Sequence, residues 1–546
     1  MPAELAQEEN GPAFAVSPST MDGAATIGAL KARPLSSRAD WPLALMVAAL
    51  YALATLAQEK FSACNGFGDD GCAYGTWALD FPANAIDSKL GSYGTQRALP
   101  SFVVWASLKL LHIPPTAPAV VLGFQLMNVG LIGLAAFTWS KIARLLEIRA
   151  VTTLVGCLCM FGGYGVIKFT SWYPVLGDLW GFAFGFVTLY AYLKQRGWLF
   201  VPLLLVAAFA WPSLLGVVLP LWCLRRQRAG EAPRRAGVAL LTAGLLAAAW
   251  LMFTLANVRA SYWPPSLVPV ETLPQVLRLS LLVSCVYCLL ALREPLSYPE
   301  LYRPALYARA IVSRDCLLAI ASFAVIRSVQ ARWSVPQSMG FGVWIRDTAI
   351  MTTFKPGIFL LAYVIYFGPL IALALLRWRD VTARMRAHGP GLLVVGILAA
   401  LFTLDAEARH GYAYVAVIMP FVVKVLDELD LERTALLGIV ASSIAFSKLW
   451  LTLPSDTPSP AAEFPAQAVF MSQGPWMSNA MYLAQLPLVG LFVFWLHRTV
   501  ARRERERGAA TPGAVAGRET PPFRTRAAAH FLKKGTWVAG APDPHR

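Results

Sequence analysis

The stretch WLFVPLLLVAAFAWPSLLGVVLPLWCL, residues 198–224, is continuously apolar and lies between Lys194/Arg196 on one side and Arg225, Arg226, Arg228, Arg234 and Arg235 on the other. A single tilted span across it would put those arginines on the outer side of a membrane, against the tendency of short basic loops to stay inside. Bent at Trp211-Pro212-Ser213, it becomes a re-entrant pair of short helices that returns both clusters to the same face. Each half, at roughly 13 residues and 1.5 Å rise per residue, is too short to cross a hydrocarbon core of about 30 Å alone.

Composition points the same way. Of the 546 residues 57% are hydrophobic and only 14% are charged, with a mean hydropathy of +0.54. Soluble domains carry roughly 25% charged residues to coat their cores, so this chain is one solvated by lipid. Its formal charge is +16, from 47 Lys+Arg against 31 Asp+Glu. From residue 498 to the end there are 11 Lys/Arg and 4 Asp/Glu, so the tail carries +7 of that charge. The rest sits in short basic clusters between apolar runs, which is a topology signal and not a nucleic-acid patch. Walker, dinucleotide-binding and HExxH motifs are missing, leaving ATP-driven transport, redox chemistry and zinc proteolysis without support.

With the 198–224 hairpin in place, apolar spans fall at 41–57, 116–140, 150–168, 175–193, 237–256, 275–292, 313–328, 357–377, 390–405, 411–426, 434–450 and 480–497. The expected fold is an all-α polytopic integral membrane protein with about 12 transmembrane helices plus one re-entrant helical hairpin, both termini inside. Lys141/Arg144/Arg149, Arg303/Arg309/Arg314, Arg377/Arg379/Arg384/Arg386 and the RRERER run then all face the cytoplasm. Residues 1–40 read as a disordered cytoplasmic tail, 41–500 as the transmembrane domain and 501–546 as a basic cytoplasmic tail. The long outer loops are 59–115, 257–274, 329–356 and 451–479.

The first outer loop holds the most telling residues. Cys64 and Cys72 flank the stretch NGFGDDG and read first as a disulfide, with free thiols or a metal site as alternatives. Cys157, Cys159, Cys223, Cys285, Cys288 and Cys316 lie in or beside apolar spans and read as small buried hydrophobes. Between positions 59 and 97 the loop carries Glu59, Asp69, Asp70, Asp80 and Asp87 against Lys60, Lys89 and Arg97, net −2 in a chain of +16. These acids keep company with Tyr74, Trp77, Tyr93 and Gln96. Carboxylates, aromatics, an amide and an arginine are the inventory of a saccharide site, because rings stack on sugar faces, amides bond hydroxyls and arginine grips phosphate bidentately.

At these residues the chain resembles the polytopic C-type glycosyltransferases (the GT-C superfamily), which take sugars from polyprenyl-phosphate donors. The resemblance lies in Asp70-Gly71-x-x-Tyr74, Ala78-Leu79-Asp80, and Tyr93-x-x-Gln96-Arg97-x-Leu99-Pro100 leading into an amphipathic helix. Farther on, the turn Tyr173-Pro174-Val175-Leu176-Gly177-Asp178 and the Glu407-Ala-Arg409-His410-Gly-Tyr412 element with Pro420 resemble the family's later loops. The sequence departs from it at Trp211-Pro212-Ser213, where a charged or Thr-containing element is expected, and at His410, where an aromatic residue is common.

The resemblance implies a bacterial inner-membrane enzyme with its active site on the periplasmic side. It would transfer a sugar, with inversion, to a hydroxyl of a glycan, lipid or protein acceptor. Asp70 is the expected general base, with Asp69 or Asp80 as alternatives. Tyr74, Tyr93, Gln96, Arg97, Asp178, Glu407, Arg409 and His410 are expected to bind substrate or phosphate, and Asp405 to orient the cations with Glu407. No cofactor is firmly implied; Mg²⁺ or Mn²⁺ at Asp69-Asp70 is an alternative, ranked below metal-independent chemistry because Arg97 and Arg409 supply positive charge. Plainer readings stand beside these: a turn at Asp69-Asp70, a helix cap at Asp178 and an interfacial ion pair at Glu407-Arg409-His410. A transporter or flippase for a lipid-linked saccharide, or a surface-polysaccharide ligase or polymerase, is the rival function.

Overall fold

The structure is a computed structural model that describes residues 34–87, 90–225, 233–259, 273–335, 341–453, 477 and 479–509. The tails 1–33 and 510–546, most of the 257–274 and 451–479 loops, and Arg226 and Arg228 lie outside the described residues. The apolar runs fold as helices because a helix satisfies its own backbone hydrogen bonds where no water can. Among the described residues six helices are long and apolar enough to cross a membrane: Ser37–Ala57, Ala117–Leu145, Ala236–Val258, Pro274–Leu296, Arg314–Trp333 and Met481–Arg507. This is the architecture of an all-α membrane protein. From His497 onward the chain forms a second unit, described only as basic helix.

Several expected spans are helical but interrupted. The 150–168 run is a pair, Ala150–Phe161 and Tyr164–Trp172, bent by 51° at Gly162-Gly163, and counting the pair as one span brings the number to seven. The 357–377 run breaks into Ile358–Phe367 and Leu370–Leu376 at Gly368, whose φ of +89° suits glycine, followed by Pro369. In the 175–193 run the helix starts only at Asp178, because the turn before it is held open by Asn128 Nδ2 donating to the Pro174 carbonyl at 3.0 Å. Length and hydropathy therefore identify fewer crossings than the sequence suggested, because glycine and proline divide continuous apolar runs into pieces.

The centre of the bundle is the helix Tyr412–Leu429, buried along nearly its whole length. It runs parallel to Asp178–Leu193: Phe182 meets Tyr412 with ring centroids 5.7 Å apart, and a turn on, a Cβ at Gly185 would lie 2.7 Å from Ala416 Cβ. Small residues at the crossing let the backbones approach closely. Both helices begin at one end of the bundle, called here the site end. At the other end Arg149 binds Asp427 at 2.7 Å and Asp430 at 2.6 Å, and Arg144 binds Asp40 through Nη2 at 2.6 Å.

The 198–224 stretch doubles back. It forms Phe200–Phe209, a short 3-10 turn Pro212–Leu214 and Leu215–Cys223, and its two ends meet where Arg225 Nη1 donates to the Gln195 carbonyl at 2.5 Å. Arg225 Nη2 also binds Asp315 at 2.8 Å, with both side chains largely buried. Trp211 is left at the tip. Removing one partner of a buried ion pair leaves the other charge uncompensated, at a cost of about 3–5 kcal/mol. Arg225→Met alone is therefore expected to lower the thermal midpoint in detergent markedly, and Arg225→Met with Asp315→Leu to recover much of it. Equal losses in the single and double variants would show that the pair does not close the hairpin.

Candidate functional site

The site is assembled from four separated pieces of chain. The first is the helix Asp69–Leu79, entered through a turn in which Cys64 and Asn65 have φ of 50° and 58° and Gly68 has φ of +81°. Cys64 and Cys72 are joined as a disulfide that ties this turn to the helix. Asp69 and Asp70 sit in the first helical turn, where the backbone dipole favours negative charge. Gly71 permits contact with the turn after Trp172: a Cβ there would lie 2.7 Å from the Val175 carbonyl oxygen, and the Gly71 N–H donates to Tyr173 Oη at 2.8 Å. Asp70 and Tyr74, four residues apart, then share one face of the helix.

The second piece is the short helix Ser92–Thr95, which leads to Arg97 at the head of Ala98–Leu110. Ser101 Oγ donates to the Tyr74 carbonyl at 2.9 Å, locking this helix onto the first. Arg97 Nη1 donates to Tyr93 Oη and, at 3.3 Å, to Tyr74 Oη. Its guanidinium lies 3.9 Å from the centroid of the Tyr93 ring and 5.0 Å from that of Trp211.

The third piece is the turn after Pro390–Phe402. Asp405 Oδ1 accepts from the Glu407 N–H at 3.0 Å, an Asx-type contact that shapes the turn. Its other oxygen receives Trp344 Nε1 at 2.9 Å and lies 2.6 Å from His410 Nδ1. Arg409 Nη2 spans two carboxylates, at 2.6 Å from Asp70 Oδ2 and 2.6 Å from Glu407 Oε1. Arg409 is 10% exposed and Asp70 43%, so the arginine forms the floor of the site while the carboxylate reaches its open side. The fourth piece is Asp178, buried within electrostatic reach of Arg409, Arg97, His410 and Asp70.

Asp70, Tyr74, Tyr93, Arg97, Asp178, Glu407, Arg409 and His410 are thus brought together. Asp69 stands exposed beside Asp70. Half-buried Gln96 adds no side-chain bond to the cluster. Asp80 is a correction: it caps the far end of the Asp69–Leu79 helix and is exposed, about 15 Å along the axis from Asp70 at 1.5 Å per residue. At Asp69-Asp70, the alternative site for a divalent ion, Arg409 pairs with one Asp70 oxygen. Among the described residues no three His, Cys, Asp or Glu side chains are arranged to hold a metal ion.

Sequence reasoning missed Tyr173, Trp344 and Trp211. Trp211 is read from sequence only as a bend, yet its ring lies 6.2 Å from that of His410. Its flanking Pro212 marks the turn; only the folded hairpin reveals where the turn points. Lys168 was missed as well. It pairs with Glu59 at 2.9 Å and so pins the start of the first loop to the bent helix.

The charges are set by one another. Arg409 above all holds the Asp70 carboxyl below its ordinary range, against the opposing effect of burial. Burial alone would raise Glu407, but Arg409 and His410 outweigh it and keep it low. Burial also opposes the His410 imidazolium, yet Asp405 and Glu407 lift its pKa above the usual value of about 6.5. The site therefore sets the Asp70 carboxyl, held low by Arg409, beside an imidazole whose charged form Asp405 and Glu407 favour.

The fold and the site define an all-α membrane protein with a charged, partly buried cluster at one end of its bundle. Comparison of the chain with protein-family models, with curated proteins and with solved structures returns no match.

A pH dependence follows from His410. Because its pKa is raised on folding, its contribution to stability is complete below about 6.5 and is lost as the pH rises through the higher native value. Thermal midpoints recorded across that window should fall with pH in the wild type and stay flat in His410→Gln. Parallel profiles for the two would refute a charged imidazole.

Proposed function

We propose that this protein is a membrane glycosyltransferase that moves a sugar from a polyprenyl-phosphate donor to an acceptor hydroxyl at the outer, periplasmic face of a bacterial inner membrane. The observation that carries the reading is the meeting of Asp70 with Arg97, Arg409 and His410 at one end of an apolar bundle. The basic residues 141–149, 194–196 and 225 lie toward the opposite end, which supports the twelve-span, one-hairpin topology with the site outside.

In this reading Asp70 accepts the proton of the acceptor hydroxyl as its oxygen bonds to the anomeric carbon. The carbon–oxygen bond to phosphate breaks on the opposite face, and the electron pair leaves with the polyprenyl phosphate. Arg409 orients the base, being already committed to Asp70 and Glu407. Arg97 is the cation for the phosphate: among the described residues it has no carboxylate partner and is held only by phenols and an indole. A cation placed where charge develops on the departing group, in a site of low dielectric, stabilises the transition state. The half of the helix Ala98–Leu110 from Val103 onward borders an apolar groove shared with Ala117–Leu145 and lined by Val103, Leu108, Leu111 and Leu122, which suits a prenyl chain.

Transfer from a radiolabelled polyprenyl-phosphate sugar in membranes overexpressing the protein tests the reading. Asp70→Asn is expected to lower the rate by about 10²–10⁴-fold, the range for loss of a general base. Arg97→Ala should lower it comparably, with Asp80→Asn close to wild type. Transfer at wild-type rates in Asp70→Asn and Arg97→Ala would sink the assignment. Movement of the intact lipid-linked sugar without glycosidic bond formation would favour a flippase.

A further inference from the structure

Asp178 with both carboxylate oxygens, Trp211 Nε1 and Arg97 Nε are three of the polar groups around the hairpin tip that are buried without a hydrogen-bond partner; Ser213 Oγ, at the tip itself, is another. Asp178 is 1% exposed and Trp211 2%. An isolated carboxylate in such a place is costly, and nearly all buried polar atoms in folded proteins have partners. The three also lie together. Gly181 is one helical turn beyond Asp178 on the same face, and a Cβ there would come within 2.8 Å of Trp211 Nε1, so the indole lies along the helix surface that carries the carboxylate. The same indole covers the Arg97 guanidinium, 5.0 Å from ring centroid to Cζ.

The donor and acceptor types restrict what could partner them. Trp211 Nε1–H and Arg97 Nε–H only donate, and an ionised Asp178 only accepts. A phosphate, which only accepts, would be repelled by the carboxylate. An ammonium group, which only donates, would be refused by the indole and the arginine. A hydroxyl does both: it accepts from the N–H and donates to the carboxylate. Two unpartnered donors and two unpartnered carboxylate oxygens match in number what two adjacent hydroxyls supply, and the indole offers a flat apolar surface.

We infer that Asp178, Trp211 and Arg97 Nε form a socket that reads a vicinal diol on the sugar ring, making Trp211 and Asp178 specificity-determining residues of the site. This rests on the proposal that the substrate is a saccharide, but it assigns Asp178 to the hydroxyls of the ring and not to phosphate. It also accounts for glycine at position 181, where a side chain would displace the indole.

The test uses the full-length protein in nanodiscs and saturation-transfer-difference NMR with a panel of methyl glycosides and their monodeoxy counterparts. At least one glycoside should bind the wild type and Asp70→Asn, and its deoxy analogue less well. Asp178→Asn and Trp211→Phe should weaken binding about tenfold or more, the scale of one lost hydrogen bond to a charged group. Should Trp211→Phe fail to fold, Asp178→Asn decides the matter. Unchanged glycoside binding in Asp178→Asn would mean that these groups meet only water, and absence of binding to the wild type by every glycoside would equally overturn the socket. Transfer activity is read separately: full transfer by Asp70→Asn with diol binding intact would remove the proposed mechanism and leave the socket standing.

Discussion

The bond between Arg409 and Asp70 joins positions 339 residues apart and closes the site. Asp70 reaches it from a loop helix and Arg409 from a turn between two long helices, so the pair holds the first loop against the middle of the bundle. Arg409 is almost wholly buried and would be expensive without a counter-charge, and Glu407 on the same turn provides one whether or not the loop is docked. Asp70 is therefore the exchangeable partner: it sits at the open side, and its oxygen can leave the guanidinium without stranding a buried cation. Under the proposed transfer reaction, that asymmetry suits a carboxylate that meets a substrate and returns.

The loop reaches this partner through close backbone contact. Gly68 turns where a side chain would strike Tyr173 and Phe61, and Gly71 rests against Val175 and the Tyr173 hydroxyl. Phe61 stacks on Trp172 with centroids 4.3 Å apart, and the Phe61 N–H donates to the Trp172 carbonyl at 3.0 Å. An aromatic layer thus seats the loop on the bent Ala150–Phe161/Tyr164–Trp172 pair, and the disulfide from Cys64 to Cys72 limits the conformations open to the chain when it leaves that seat.

Much of this was legible in the sequence. Apolar runs between basic clusters locate nearly every helix, because a helix is the one way a linear apolar segment satisfies its backbone in lipid. Scarcity of charge singled out the acids and Arg97 of the first loop, and the family resemblance pointed to Asp178 and Arg409, which the fold brings to the same cluster. What stayed hidden depended on direction. Asp80 has the same chemistry and the same loop as Asp70, but a helix lies between them and carries it away. Trp211 looks like a hinge in one dimension and becomes a wall of the site only when Arg225 meets Gln195 and turns the hairpin tip inward. The Gly162-Gly163 and Gly368-Pro369 breaks were visible as letters, yet hydropathy averages across them.

The charges of the cluster also sort its two arginines. Four acidic side chains, Asp70, Asp178, Asp405 and Glu407, stand against Arg97, Arg409 and His410, so the site has no evident surplus of positive charge to attract an anion as a whole. Coulomb attraction at a few ångströms in a poorly solvated site is strong, but it is spent within the pairs that already exist. An incoming phosphate would have to take a carboxylate's place at Arg409, losing about as much as it gains. At Arg97 it would displace only phenolic oxygens, which are weaker acceptors than a carboxylate. Under the proposed transfer reaction, the same reasoning would separate the two ends of a glycosyl phosphate, with the anionic end at Arg97 Nη1 and the neutral hydroxylated ring toward Trp211 and Asp178. A single guanidinium at the junction would then hold both, and fix the anomeric carbon between them.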